Sequence, residues 1–162
     1  PHKWLFAPAG CGLLYGREEM LDRLWVNVAT VRWDDKAMKA ARFMQVGTNS
    51  RAVFEGLLAG LRFLKAIGPE RVYGRIHHLA RLSLEKARNV RGAGILTPDD
   101  DRMFGGLVTF NLPEPRWQQV KDICKERRIW ISANQRPRIS THIHTRPEDL
   151  DLFFEIVRKV TG

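Results

Sequence analysis

Three short segments carry side chains that could act together on one small molecule. The first begins at Lys3, which follows His2 and precedes Trp4 and a turn rich in proline and glycine. A lysine amine becomes a nucleophile when burial or nearby positive charge keeps it neutral, and it can then join an aldehyde. Buried beside Trp4 at the edge of an apolar strand, Lys3 could anchor an aldehyde cofactor. The alternative is a solvated lysine near the first residue.

The second segment is the turn Gly47-Thr48-Asn49-Ser50, which precedes a long predicted helix. Free backbone N–H groups and the helix dipole favour a phosphate at such a position. The Thr48 hydroxyl adds a further donor. Ordinary capping of the helix by a side-chain oxygen explains the same residues, so both interpretations stay open at this point.

The third segment centres on Arg138, in Pro137-Arg138-Ile139-Ser140. An arginine fixed on a strand can bind a carboxylate through two parallel hydrogen bonds, and a structural salt bridge is the alternative. His142 and His144 follow, but two histidines without a third ligand do not predict a metal site. A lysine, a phosphate site and a carboxylate site are what a pyridoxal-phosphate enzyme needs to act on an amino acid.

The three segments resemble, in residue type and in order, the motifs of class V aminotransferases. The first is similar to the lysine segment of that family, the second to its Gly-Thr pair and the third to its C-terminal arginine signature. The residues that carry the resemblance are His2 to Leu5, Ala7 to Tyr15, Gly47-Thr48, Arg138 to Ser140, His142 and Glu148 to Asp151.

The resemblance implies a cofactor, a substrate class and an assembly. The cofactor is pyridoxal 5′-phosphate, which Lys3 would hold as an aldimine, with His2 beside it. Gly47 and Thr48 would bind the cofactor phosphate of the neighbouring subunit in a homodimer. Arg138 would bind the carboxylate of an amino-acid or keto-acid substrate.

The resemblance also favours one branch of the family. The segment His2-Lys3-Trp4-Leu5 favours the isopenicillin N epimerase-like branch, with transamination or epimerisation as the reaction. Cysteine desulfurases carry a nucleophilic cysteine shortly before the arginine motif, whereas residues 129–137 contain none. Cys124 falls within a predicted helix, so desulfuration is not expected.

The pattern of apolar residues predicts an α/β layer over the last hundred residues, and the resemblance implies that the chain is the C-terminal part of an enzyme of fold type I. Residues 1–65 are expected to be the end of the large cofactor domain with a connecting helix, and residues 66–162 the small domain with a short, mostly antiparallel sheet. The chain is expected to be inactive alone, because the family's lysine comes past the middle of the polypeptide. The predicted strands are 13–15, 106–112, 129–132 and 138–140; the predicted helices are 17–21, 34–43, 53–67, 69–89, 117–124 and 148–160.

The net charge of +9 raises a different class of function. Residues 71–91 contain six basic residues and one acidic residue, which suits a solvated helix face or a polyanion site. A basic nucleic-acid-binding module is therefore the rival hypothesis, and a degenerate, non-catalytic family member is the third. No apolar stretch approaches the roughly 20 residues of a membrane helix. A cytoplasmic location is expected, with two reduced cysteines.

Overall fold

The computed structural model describes residues 1–44, 46–131 and 135–162. The chain divides into two units, Pro1–Ala66 and Ile67–Gly162. The roles expected for residues 1–65 and 66–162 in cofactor and substrate binding stay predictions. No helix in the described ranges is both long enough and apolar enough to cross a membrane.

The first unit is organised around one long helix. Its elements are α1 (Glu18–Leu21), a 3₁₀ segment (Lys36–Met44) and α2 (Arg51–Ile67). The buried side of α2 carries Leu57, Gly60 and Leu64. Their spacing of three and four residues places them on one face of the helix, and the helix predicted at 53–67 is confirmed.

Two expectations for the first unit are changed by the structure. The strand predicted at Leu13-Leu14-Tyr15 is wrong: these residues have no regular structure, and their exposed fractions are 69%, 88% and 89%. A strand needs a neighbour to accept its backbone hydrogen bonds, and no described residue of this unit supplies one. The helix predicted at 34–43 is instead the 3₁₀ segment, which Lys39 interrupts with non-helical backbone angles.

The second unit is a small antiparallel sheet with helices on one side. Its strands are β1 (Gly94–Ile95), β2 (Leu107–Asn111) and β3 (Arg138–Ser140), in the spatial order β1-β2-β3. Its helices are α3 (Pro69–Arg88), α4 (Glu114–Glu126) and α5 (Pro147–Thr161). This arrangement confirms the predicted α/β class and the short antiparallel sheet.

The core of the second unit lies between β2 and the helices. Val108 and Phe110 alternate along β2 with more exposed neighbours and are fully buried. The Phe110 ring stacks on Phe154 of α5, with 6.0 Å between the ring centroids. Since side chains of a strand alternate between faces, the other face of β2 and β3 is left open, and that face carries Arg138.

The strand predicted at residues 129–132 is wrong where it is described. Ile129 to Ile131 are irregular, and Ser132 lies outside the described residues. The Ile129 N–H donates to the Cys124 carbonyl at 2.8 Å, and Arg128 has φ of 56°. This hydrogen bond closes the end of α4, so the segment terminates a helix.

Candidate functional site

Lys3 lies in a tight turn at the start of the chain. The Leu5 and Ala7 N–H groups donate to the Pro1 carbonyl at 3.3 and 3.4 Å, and the Phe6 N–H donates to the Lys3 carbonyl at 3.3 Å. The expectation of a buried lysine at a strand edge is therefore wrong, because these hydrogen bonds curl the segment and leave Lys3 exposed. Its amine has no ion-pair or hydrogen-bond partner among the described residues.

The segment after Lys3 turns sharply. Gly10 has φ of 90°, in the left-handed region that glycine adopts most easily. The Cys11 thiol donates to the Pro8 carbonyl at 3.2 Å within this turn. His2, the other residue expected to contact the cofactor, is exposed beside Lys3.

Gly47 and Thr48 are exposed and lie just before the first residue of α2. Gly47 has φ of 134°, which strongly favours glycine. Within the described part of the chain, no side-chain hydrogen bond joins Thr48 or Ser50 to the first turn of α2. The capping interpretation therefore has no hydrogen bond to support it, and the Thr48 hydroxyl is available to an anion.

Arg138 is held by the register of the sheet. It lies opposite Thr109 on β2, and Ile139 lies opposite Val108. The ladder continues past β3, because the Phe110 N–H donates to the Pro137 carbonyl at 3.3 Å. Arg138 is exposed, and the residues described contain no carboxylate paired with it. The salt-bridge alternative is thus not observed in this part of the structure.

An open groove of about 360 Å³ lies beside Arg138. Most of its lining is apolar, including Ile131, Ile139 and Phe153. Asp149 also lines the groove, but its carboxylate accepts hydrogen bonds from Arg146 at 2.6 and 3.0 Å. The positive charge of Arg138 therefore remains available at the edge of an apolar groove.

Thr141 anchors the end of β3, and the sequence patterns did not single it out. It is 1% exposed, and its N–H donates to the Gly106 carbonyl at 2.8 Å. Its hydroxyl lies 2.9 Å from the Ile76 carbonyl oxygen on α3 and 3.2 Å from the Gly106 carbonyl oxygen. A buried threonine directly after a strand is the signal that could have found it.

Most of the basic residues of α3 are engaged within the second unit. Arg75 donates to the Thr145 carbonyl at 3.3 Å. Three further residues of the helix form ion pairs with carboxylates, and these pairs are Arg81–Asp101, Lys86–Asp151 and Arg88–Asp99. Because these cations already face acidic or carbonyl oxygens, the helix offers less free positive charge than its sequence indicates.

The cysteine and histidine residues do not form a further reactive cluster in the described ranges. Cys124 is fully buried, and burial raises the pKa of its thiol. The rings of His142 and His144 stack with 4.9 Å between centroids, and His142 Nδ1 accepts the Ile143 N–H at 2.8 Å. No group of three metal-binding side chains occurs among the described residues.

The chemistry of the three exposed donors fits pyridoxal 5′-phosphate with a carboxylate substrate. A primary amine suits the aldehyde, a hydroxyl before a helix suits the phosphate, and a guanidinium suits a carboxylate. Lys3 and Thr48 belong to the first unit and Arg138 to the second. No hydrogen bond between the described residues joins Lys3 or His2 to Thr48.

The whole of this architecture has counterparts among known proteins. The family model described as Aminotransferase class-V matches residues 1–151. A probable cysteine desulfurase of Staphylococcus aureus is 24% identical over 98% of this chain and 43% of its own length. Isopenicillin N epimerase of Streptomyces clavuligerus is 25% identical over 99% of this chain and 46% of its own length. The chain thus spans less than half the length of these curated relatives.

A solved structure shows the same fold. The crystal structure of a cysteine desulfurase from Escherichia coli superposes with a TM-score of 0.77 at 19% identity. The match covers 96% of this chain and 43% of that one. It confirms the predicted fold class, the C-terminal part of a fold type I enzyme.

Proposed function

Because the chain belongs to the class V aminotransferase family, we propose that it serves a pyridoxal-5′-phosphate-dependent reaction on an amino acid or keto acid, with Lys3 as the reactive residue. The observation that carries the proposal is the presence of Lys3, Thr48 and Arg138 as three exposed donors in the family's order. Lys3 and Arg138 have no ion pair among the described residues, and no hydrogen bond described there joins the Thr48 hydroxyl to the start of α2. Each therefore remains available to a ligand.

Lys3 has two roles in this proposal. Its amine would hold the cofactor covalently and would move a proton at the substrate α-carbon. The bound cofactor supplies the electron sink that makes this proton removable. The turn around Lys3 leaves the amine exposed and without a competing partner in the part of the chain described, so an aldehyde can reach it. The burial that would keep this amine neutral is not observed in this unit. His2 is adjacent to Lys3 and would contact the cofactor.

Gly47 and Thr48 would hold the cofactor phosphate. Gly47 has a positive φ just before α2, and Thr48, Arg51 and Ala52 around the start of the helix are exposed. Helix N-termini bind phosphate because their N–H groups are unpaired and the helix dipole is positive there. We place this phosphate in the neighbouring subunit of a homodimer.

Arg138 would bind the substrate carboxylate. Its guanidinium can form two parallel hydrogen bonds with a carboxylate, which fixes the direction of the α-carbon. The pairing of β3 with β2 limits the movement of its backbone, so little ordering is required on binding. Because the groove beside Arg138 is mostly apolar, the substrate carboxylate would be the strongest electrostatic partner of the Arg138 guanidinium there.

Transamination or epimerisation fits the chain better than desulfuration. Persulfide chemistry needs an accessible thiolate, whereas Cys124 is buried with a raised pKa. Residues 129–137, which precede and reach the arginine segment, contain no cysteine. The carboxylate site and the lysine would serve either of the two remaining reactions.

Borohydride trapping tests the proposal on the native polypeptide that carries this sequence. The protein is supplied with pyridoxal 5′-phosphate, reduced and digested, and the pyridoxyl-bearing peptide is identified by mass. We expect the label on Lys3 and its loss in Lys3→Ala. The matched control is Lys65→Ala, another exposed lysine of the first unit, which should label as the wild type does. Labelling of other lysines alone would overturn the proposal.

A further inference from the structure

The helix α2 approaches the backbone directly after Lys3 more closely than any side chain would allow. A Cβ atom at Gly60 would clash with the Leu5 carbonyl oxygen and would lie only 3.2 Å from the carbonyl carbon of Phe6. The clash is with backbone, which cannot rotate away as a flexible side chain can. Gly60 is therefore required for this approach, and it lies on the buried face of α2.

Gly56 makes a second approach of the same kind, one turn earlier on α2. A Cβ atom there would clash with Cγ of Pro8 and would lie 2.8 Å from its Cδ. Gly56 and Gly60 are four residues apart, so they lie on one face of the helix. Together they place α2 against the segment that runs from Leu5 to Pro8.

The same segment holds a strained residue. Phe6 has φ of 54°, a left-handed conformation that is uncommon for a bulky residue. Its ring packs edge-on against Phe63 of α2, with 5.7 Å between the centroids. Strained backbone persists only where the surroundings enforce it, and such residues cluster at functional sites. Phe6 lies three residues after Lys3, and α2 provides the packing that enforces its backbone conformation.

We propose that Gly60, supported by Gly56, is a positioning residue for Lys3. By admitting α2 against the Leu5 and Phe6 backbone, Gly60 fixes the turn from which the Lys3 side chain projects. The inference rests on the proposed role of Lys3. A lysine must reach both the cofactor aldehyde and the substrate α-carbon, so a displacement of its backbone by about 1 Å is costly.

The first test compares two helix glycines in the native polypeptide that carries this sequence. Gly60→Ala pushes on the Leu5 carbonyl, whereas Gly74→Ala on α3 meets no atom within 4 Å and is the matched control. The readouts are the rate of borohydride-trapped labelling of Lys3 and the pH midpoint of the cofactor's visible absorption band. We expect Gly60→Ala to slow labelling by about tenfold or more and to shift the midpoint. Gly74→Ala should leave both unchanged.

A rescue experiment covers the case in which Gly60→Ala does not fold. Gly56→Ala meets Cγ and Cδ of Pro8, and Pro8→Ala removes both atoms while its Cβ stays at an ordinary 3.8 Å. We expect Gly56→Ala to slow Lys3 labelling and to shift the pH midpoint, and the double variant Pro8→Ala/Gly56→Ala to recover both. If the Gly56→Ala change only destabilised the fold, it would lower the unfolding temperature and leave the pH midpoint of the absorption band unchanged.

The outcomes separate this inference from the proposed function. If the wild type is labelled at Lys3 and the Gly60→Ala and Gly56→Ala proteins match it in rate and pH midpoint, the positioning role is overturned and the function stands. Failure of the Pro8→Ala change to restore Gly56→Ala also overturns the positioning role. If the wild type is never labelled at Lys3, both proposals fail.

Discussion

The Thr141 hydroxyl lies 2.9 Å from the Ile76 carbonyl oxygen and ties the end of β3 to helix α3. The same hydroxyl is 3.2 Å from the Gly106 carbonyl oxygen, so one buried group serves two segments. Arg138 lies on the strand that this contact anchors. The position of Arg138, the candidate for carboxylate binding, thus depends on a buried residue that follows the strand.

Thr141→Val should destabilise the second unit by about 1–2 kcal/mol. Valine keeps the shape of threonine but removes the hydroxyl, so the Ile76 and Gly106 carbonyls lose a donor in a buried place. Chemical denaturation measures the change in the free energy of unfolding. Thr141→Ser keeps the hydroxyl and should lose less; equal losses for the two variants would show that the methyl group, and not the hydrogen bond, matters.

The Arg146–Asp149 pair should make a pH-dependent contribution at the start of α5. The hydrogen bond from Arg146 holds the pKa of the Asp149 carboxyl below its ordinary value. A carboxyl whose pKa is lowered on folding stabilises the fold above its unfolded pKa, and this contribution is lost as the pH falls through the folded pKa. Both groups are exposed, so the effect is expected to be small.

Carbon-13 NMR titration of Asp149 measures that shift directly. In Arg146→Ala the Asp149 pKa should rise toward its ordinary value, whereas Arg158→Ala on the same helix should leave it unchanged. An Asp149 pKa that is the same with and without Arg146 would contradict the assignment.

The sequence predicted well those elements whose own spacing of apolar residues is sufficient to identify a helix or a strand. On α2, buried Leu57 and Leu64 follow a helical spacing, and on β2 the burial of Val108 and Phe110 follows a period of two. The spacing was sufficient to predict the type of each element. It did not predict the extent of burial on α2, where Phe54, Leu58 and Leu61 of the same apolar stripe are exposed.

The failures concern features that depend on distant partners. The apolar stretch around Leu14 predicts a strand, but a strand requires a neighbouring strand to pair with its backbone, and the sequence pattern does not show whether one is present. Ile129 reads as a strand residue, but its N–H is taken by the end of α4. Gly60 gave no signal for its role, because the carbonyl that it approaches belongs to Leu5, far away in sequence. The sequence indicated Lys3 as a candidate site residue. Its exposure was not predictable, because it depends on the backbone hydrogen bonds that close the turn from Pro1 to Ala7.

Cys11 and Cys124 should differ strongly in reactivity toward an alkylating reagent. Cys124 is fully buried and burial raises its thiol pKa, so little thiolate forms and little reagent reaches it. Cys11 is partly exposed in a turn. We expect Cys124 to react about a hundredfold more slowly or less in the folded protein, since reaction requires local opening.

Mass spectrometry of peptides after timed alkylation measures both rates, and Cys11→Ser isolates Cys124. In denaturant the two cysteines should react at similar rates, which is the control for access. Fast alkylation of Cys124 in the folded protein would contradict its burial and would support a nucleophilic role.

Arg138→Ala should weaken substrate binding without weakening cofactor binding. The guanidinium is proposed to bind the substrate carboxylate, and no described carboxylate of the chain replaces it. We expect KM for the amino acid to rise roughly thirtyfold or more, equivalent to about 2 kcal/mol or more, in the native polypeptide supplied with cofactor. Arg138→Lys should also be impaired, because an ammonium group cannot form the two parallel hydrogen bonds.

The matched control is Arg136→Ala, which removes an exposed arginine two residues before Arg138 and outside the strand. Steady-state kinetics give KM and kcat, and titration of the cofactor's absorption gives its affinity. Of the two alanine variants, only Arg138→Ala should raise KM, and the cofactor affinity should be the same in the wild type and in both variants. Arg136 lies outside the strand that positions Arg138. An equal rise of KM in both variants would therefore assign the effect to the positive charge of the surface and would contradict a specific carboxylate-binding role for Arg138.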